Sequence, residues 1–368
     1  MKLSPYTSRI IFGIHQWLGA VMGVCYLVIG LSGSLLLFRD EFDNYFNRDL
    51  HDIKAGTHPA PLDSMFHKIA AHYKDTREID LIRFPGHAGD CYEFLLFREV
   101  PNHFSSYLYA VFINPYNNEI IREGDYGTLS ASFFRWLYQF HYCFQLGTVG
   151  MLTTGIVALL MLGSLLTGFI VYRKHITDIF HRKSYTRIRY RRSAASALHR
   201  IIGVWGLLFN SIIFFTGFWL NLPAFERGSW TKVERVRPVL PAASMEPMLG
   251  YARSLGNFSP VSVYVPLDSG SDVKIVGRFT HTLFLVNDYA SYVSFSKQSG
   301  KLTAFYDIRK QSWWDKLDAM VYQVHTGKMG AVGIKFIYLL IGLTPGILFI
   351  TGAILWWRRL ARAKRYGR

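Results

Sequence analysis

The sequence predicts an integral membrane α-helical protein: a four-helix transmembrane bundle built from two parallel repeats and carrying two small extracytoplasmic α+β domains. Three observations point there. Half of the 368 residues are hydrophobic, 16% are aromatic and only 18% are charged, a balance found in membrane proteins rather than soluble enzymes. Residues 10–38, 136–172, 201–225 and 336–357 contain no Asp, Glu, Lys or Arg. Each of these runs is long enough for a hydrocarbon core that needs about 20 apolar residues. Histidines and glycines also recur along the chain at one fixed offset.

The elements follow in chain order. Residues 1–38 are the first span with a cytoplasmic N-terminus. It opens with Lys2 and Arg9, as a signal peptide would. Its apolar run exceeds the roughly 7–15 residues of a signal core, and no small-residue cleavage site follows Ser34, so the span is expected to stay attached. Residues 39–132 are the first extracytoplasmic domain. An amphipathic helix runs from Pro61 to about Lys74, with Met65, Phe66, Ile69 and Ala70 at helical spacing. Strand-like runs follow at 79–84, 92–97 and 107–113, and a turn at 114–118 leads to one more. Residues 133–172 are the second span, 173–197 a basic cytoplasmic loop and 198–221 the third span. Residues 222–318 repeat the domain plan, with a helix near 244–255 and strands at 261–265, 273–276 and 292–295. The fourth span occupies 319–357, and a basic cytoplasmic tail 358–368.

The net charge of +16 resides wholly in three of these segments. The N-terminus supplies Lys2 and Arg9, residues 173–200 supply nine Lys or Arg against the single Asp178, and residues 358–368 supply six. The remaining 24 basic and 24 acidic residues cancel. Positive charge gathered on one side of the spans is the positive-inside pattern, which places both termini in the cytoplasm and removes the need for a nucleic-acid partner. Cys25, Cys91 and Cys143 show no disulfide framework and read as buried small hydrophobes.

The recurrence is specific. His15 and His199 begin the first and third spans, each followed by glycine four residues on (Gly19, Gly203) and eighteen on (Gly33, Gly217). His141 and His325 close two copies of Tyr-Gln-x-His, and each is followed 27 residues later by a glycine after threonine, Gly168 and Gly352. The offset is 184 residues throughout, half the chain, which reads as a tandem duplication. Because each half crosses the membrane an even number of times, the halves run parallel and matching residues share a depth.

That places His15 with His199 on the cytoplasmic side and His141 with His325 on the other. Two imidazoles facing across a bundle suit both axial positions of a haem iron, and Gly19 and Gly203 on the ligand face would make room for a flat porphyrin. Without Cys-x-x-Cys-His, such haem is non-covalent b-type. Two bis-histidine haems, one haem, a histidine-bound metal ion and no cofactor all remain open, as does replacement of a ligand by His175, which reads more simply as a charge near lipid phosphates. In one straight helix the 31 residues from His141 to Tyr172 span roughly 46 Å, which would set the two pairs far apart. Tyr26, Trp205 and Phe209 are the aromatic residues noted between them.

The His-x-x-x-Gly first helix, the small domain with its Asn-rich turn and the Tyr-Gln-x-His before the next span resemble the PepSY-associated transmembrane proteins, also called iron-regulated membrane proteins, of the bacterial inner membrane. The resemblance covers nearly the whole chain, and the paired histidines are its most specific element. It implies PepSY-like periplasmic domains, a part in iron acquisition and, by similarity to di-haem ferric-siderophore reductases, haem ligation by His15, His141, His199 and His325. The expected activity is therefore transmembrane reduction of a ferric siderophore in the periplasm, releasing iron. No Gly-rich dinucleotide fingerprint is present, so the electron donor is expected to be a quinol or a separate cytoplasmic reductase. No motif identifies substrate-binding or catalytic residues, or which siderophore is used. The rival readings are a siderophore or iron permease component and a haem-free PepSY regulatory or binding protein.

Overall fold

The computed structural model describes residues 4–99, 107–181, 185–190, 193–231, 239–330 and 332–365. His103 and several residues of the basic segments (Lys2, Arg182, Lys183, Arg191, Arg192, Arg368) lie outside them.

Three helices are long and apolar enough to cross a membrane. The first, α1 (Pro5–Leu36), starts at Ser4, whose hydroxyl accepts the Thr7 amide at 3.0 Å, with proline in the first turn. Its buried residues are Gly23, Tyr26, Ser32 and Ser34, whereas Trp17, Val21, Val24, Leu31 and Leu35 face outward. Small and polar inside with large and apolar outside inverts the soluble pattern and suits a helix bathed in lipid. The same inversion holds in the long C-terminal helix, where Leu340, Ile350 and Trp357 are exposed. Where that helix crosses α1, a Cβ on Gly30 would stand 2.7 Å from the Gly342 carbonyl oxygen, so only glycine permits the approach.

The expected second span is two helices. The shorter, α4 (Phe133–Cys143), ends where Phe144 and Gln145 adopt left-handed backbone (φ 50° and 63°), and α5 (Gly147–Tyr172) begins at Gly147. Gln145 fixes the break by donating to the Trp136 carbonyl at 2.7 Å. The fourth span is divided likewise into α9 (Trp313–Thr326) and α10 (Val332–Arg365), with Gly327 at φ 66° between them. The third span is a candidate only as a bent pair, α6 (Ala194–Trp205) and α7 (Leu207–Leu220), which meet at 64° beside Gly206.

The two segments expected outside the membrane differ from expectation in one respect: they share a single sheet. Strands β1 (Thr76–Arg83), β2 (Tyr92–Arg98), β3 (Tyr107–Ile113), β4 (Ile120–Asp125), β5 (Phe258–Pro266), β6 (Val273–Phe279), β7 (Ser291–Phe295) and β8 (Leu302–Tyr306) form one antiparallel sheet in the order 4-3-2-1-5-6-7-8. The halves join at β1 and β5, where Ile79 pairs Val265 and Leu81 pairs Val263. Two isolated four-stranded sheets would each leave β1 or β5 as an open edge, and pairing them removes both edges. Helices α3 (Leu62–His72) and α8 (Met245–Ser254) cover one face over a shared core that includes Phe66, Ile69, Leu81, Phe94, Met248 and Val263. Each caps the other: the Leu62 amide donates to Glu246 at 2.7 Å and the Met245 amide to Asp63 at 2.9 Å.

The sheet is tied to the membrane helices by charge. Arg135, in the first turn of α4, is 1% exposed. It pairs with Asp43 of α2 (Arg39–Phe46) and bidentately with Glu93 of β2 at 2.8 Å, and Arg83 and Arg39 approach the same Glu93 at 3.5 and 3.8 Å. Burial alone would raise the Glu93 carboxyl, but Arg135, Arg83 and Arg39 hold it down at about 2. Arg135→Leu leaves Asp43 buried without its cation and Glu93 with only the longer contacts to Arg83 and Arg39, and should cost about 3 kcal/mol of stability. Since the folded value lies below the roughly 4.3 of an unfolded glutamate, the Glu93 contribution is complete above that pH and is lost as pH falls toward 2. Thermal unfolding of the full chain in detergent, wild type against Glu93→Gln, checks this: a wild-type profile that does not converge on the variant below pH 4 refutes it.

Candidate functional site

All four expected histidines meet in pairs. The His15 and His199 ring centres are 6.2 Å apart at 76° between planes, and those of His141 and His325 are 6.3 Å apart at 43°. The first pair, toward the basic ends of the helices, is the distal pair; the second, toward the sheet, is the proximal pair.

Each ring rests on a seat supplied by another helix, and the four seats share one construction. His141 Nδ1 lies 2.9 Å from the Ser32 hydroxyl, which itself donates to the Ile29 carbonyl. His325 Nδ1 lies 3.0 Å from the Thr216 hydroxyl, which donates to Ile212 and Ile213. His199 Nδ1 lies 3.0 Å from the Thr351 hydroxyl, which donates to Ile347 and Leu348. A hydroxyl has one hydrogen; spent on a carbonyl, it can only accept from the ring. His15 Nδ1 meets the Ser164 carbonyl oxygen at 3.0 Å, with the Thr167 hydroxyl at 3.4 Å. A proton on Nδ1 satisfies all four seats at once, and a ring protonated there keeps a bare lone pair on Nε2.

A glycine follows each seat hydroxyl and makes room for the Cε1 edge of the ring. A Cβ on Gly33 would stand 2.8 Å from His141 Cε1; on Gly168, 3.0 Å from His15 Cε1; on Gly217, 3.1 Å from His325 Cε1; and on Gly352, 3.4 Å from His199 Cε1. Gly19 and Gly203 do not touch the rings. They line a cavity of about 520 Å³ that opens beside the distal pair, and no atom comes within 3.7 Å of a Cβ built on either. That volume is in the range of small-molecule and cofactor sites.

The broken helices overturn the expected 46 Å. Because α4 folds back beside α1, His141 sits at the level of Ser32 and Gly33, seventeen to eighteen residues from His15 along one helix. At about 1.5 Å per residue, the pairs are separated by about 26 Å of helix axis. Tyr26, buried and edge-on to Phe214 at 4.5 Å, lies between them, whereas Trp205 and Phe209 are 55% and 47% exposed and face outward. His175 is exposed and bonds Asp178 at 3.0 Å, well outside the site.

The donor set discriminates among ligands. Among the described residues no group of three His, Cys, Asp or Glu could hold a metal ion, so each pair offers two imidazole nitrogens only. A bare ion held by protein takes three or four ligands. A metal already held in the plane of a macrocycle needs two, one on each side. With a metal–nitrogen bond of about 2.0 Å and about 1.1 Å from nitrogen to ring centre, two trans imidazoles lie about 6.2 Å apart centre to centre, which matches both pairs. These residues fit a bis-histidine porphyrin metal.

A protein with lipid-facing helices, an antiparallel sheet domain at one end and paired histidines between its helices belongs among integral membrane proteins with a docked extramembrane domain. The model of the PepSY-associated transmembrane region matches residues 12–359, and the chain belongs to that family. No curated protein matches the chain.

The seat hydroxyls are legible as serine or threonine immediately before each recurring glycine, a regularity that the glycines alone conceal. Thr216→Val removes the acceptor for His325 Nδ1 and should weaken haemin binding at the proximal pair about 10- to 100-fold. Gly33→Ala, with the closer contact, should weaken binding more than Gly352→Ala. Titration of each variant with haemin, followed by the Soret band, measures both; the reverse order for the glycines would show that they do not seat the rings.

Proposed function

We propose that this is a four-span inner-membrane protein of two parallel repeats. In this reading it holds two b-type haems and passes electrons outward to reduce a ferric chelate such as a ferric siderophore. The observation that carries the reading is the pair of imidazole pairs at 6.2 and 6.3 Å, with every Nδ1 hydrogen engaged and every Nε2 left free for a ligand. Bound there, haem supplies a one-electron couple at each end of the membrane-embedded helices.

The chain's own residues do the positioning. His15, His199, His141 and His325 bind, their seats fix tautomer and ring plane, and the outward-facing apolar residues exclude water from between the pairs. The concentration of basic residues at the distal end supports a cytoplasmic placement for that end and a periplasmic one for the sheet. Electrons then enter at the distal pair from a quinol or a separate reductase and leave at the proximal pair, one per ferric ion. The ferrous ion is released because hard oxygen chelators hold it more weakly, and no bond of the chelator need break. Membership of the PepSY-associated family supports a membrane protein of iron-regulated type, and the paired imidazoles favour the reductase over the permease and haem-free regulatory readings.

The test is a haem-to-protein ratio by pyridine haemochrome. Wild type should contain two haems per chain, and His141→Leu and His325→Leu one each. Both variants should lose ferric-chelate reduction, followed with a chromogenic ferrous trap, while remaining in the membrane fraction. A colourless wild type, or a variant that keeps both haems and full activity, would sink the reading.

A further inference from the structure

The cavity beside the distal pair is mostly apolar, and two arginines, Arg200 and Arg359, line its outer end. Arg200 follows His199 in α6, and its side chain bends back along the helix, with Nε donating to the Ser196 carbonyl at 3.0 Å and the guanidinium 6.0 Å from the centre of the Tyr172 ring. Arg359 projects from the last turns of α10, 5.0 Å from the centre of the Phe12 ring, with Nη1 donating to the Gln16 side chain at 3.2 Å. Ser196, Tyr172 and Phe12 all lie nearer the basic ends of their helices than the residues that meet the imidazoles, so both cations sit on one side of the pair. Neither pairs with a carboxylate among the described residues.

General attraction of basic residues to a membrane surface does not account for this placement, because Arg362 and Lys364, farther along α10, do not line the cavity. The duplication supplies an internal control. At the same 184-residue offset, Arg200 corresponds to Gln16 and Arg359 to His175, which stands apart and bonds Asp178. Paired cations thus occur only in the second half, although the ligand geometry is kept in both.

We propose that Arg200 and Arg359 form a carboxylate-binding subsite at the outer end of the distal cavity, receiving the two acidic side chains of the porphyrin and fixing its orientation. This rests on the haem reading above and extends it. An apolar cavity with two nitrogen donors at its wall and two guanidiniums without carboxylate partners at its mouth complements a flat apolar ring that ends in two carboxylates, and guanidinium forms strong charge-assisted pairs with carboxylate. Placing both charges at the outer end keeps them near water, where they cost least.

The experiment titrates full-length protein, produced in a haem-deficient host and purified in detergent, with haemin and with haemin dimethyl ester, whose carboxylates are capped. A His141→Leu, His325→Leu background leaves only the distal pair to load. The parent should bind haemin about tenfold or more tightly than the ester. Arg200→Gln and Arg359→Gln should each reduce that preference, with little change in ester binding, and the lysine variants should retain part of it. Equal binding of haemin and ester by the parent would overturn the subsite while leaving the haem reading intact, as it would if the guanidiniums hold lipid phosphate instead. Absence of a Soret shift with either ligand, in the parent and in the chain with all four histidines, would overturn the haem reading and this inference with it. Elution of every variant at the wild-type volume on size exclusion separates loss of a contact from loss of fold.

Discussion

Everything at the centre of this molecule depends on where four imidazole protons go. In hydrocarbon a polar hydrogen has no water to fall back on, so each Nδ1–H must find an acceptor on a neighbouring helix. Ser32, Thr216 and Thr351 can accept because each already spends its own hydrogen on a carbonyl one turn back, and His15 finds the Ser164 carbonyl directly. That hydrogen bond sets the direction of the ring, and the glycine beside it sets the depth to which the ring can sink. The two constraints together hold each ring beside the matching ring of the other half, 6.2 and 6.3 Å centre to centre, so a local matter of proton accounting becomes a site.

The breaks in the helices serve the same end. A continuous second span would hold His141 at the far end of a long rod; the left-handed residues Phe144 and Gln145 let α4 turn back against α1 and bring the imidazole to Gly33. The proximal rings therefore ride on short helices held against the sheet domain, α4 through Arg135 and α9 through Ala319 and Met320, which pack with Val286 and Ile308 while the Asn287 side chain donates to the Ala319 carbonyl at 2.7 Å. Because β1 and β5 unite the two halves of the sheet, a shift in either half is felt by both short helices. The proximal pair thus sits on the two helices that meet the sheet domain, whereas the distal pair sits on α1 and the short α6 at the other end of the bundle.

Much of this is legible in the residues. Charge-free runs mark the membrane segments, the periodicity at Met65, Phe66 and Ile69 marks α3, and alternating β-branched and aromatic runs mark most strands to within a few residues. The 184-residue offset by itself pairs each histidine with the partner it meets in the fold. The breaks at Phe144 and Gly206 are hidden because lack of charge says that a segment is in lipid but nothing about whether it is straight, and no proline marks either break. The β1–β5 union is hidden because strand pairing between distant segments depends on edges that a sequence does not label. Helical spacing points to Gly19 and Gly203 as the glycines of the ligand face, but the residues that shape the rings are Gly33, Gly168, Gly217 and Gly352.

Two neutral imidazoles that both present lone pairs cannot hydrogen-bond to each other, and among the described residues all hydrogen bonds of these rings are made through Nδ1. On the proposed reading a ligand stands between them. A shared proton would put a cation in the apolar interior with no carboxylate beside it, the costliest of the choices. Water would need partners on its other sides, and the glycines and aliphatic walls near the distal pair offer few. The haem of the proposed reading would satisfy both lone pairs at once and would fill the space that Gly19 and Gly203 leave open. Such a ligand would stabilise the paired state by mass action, so apoprotein and holoprotein should differ most at the paired rings and least in the sheet, whose core is complete without it.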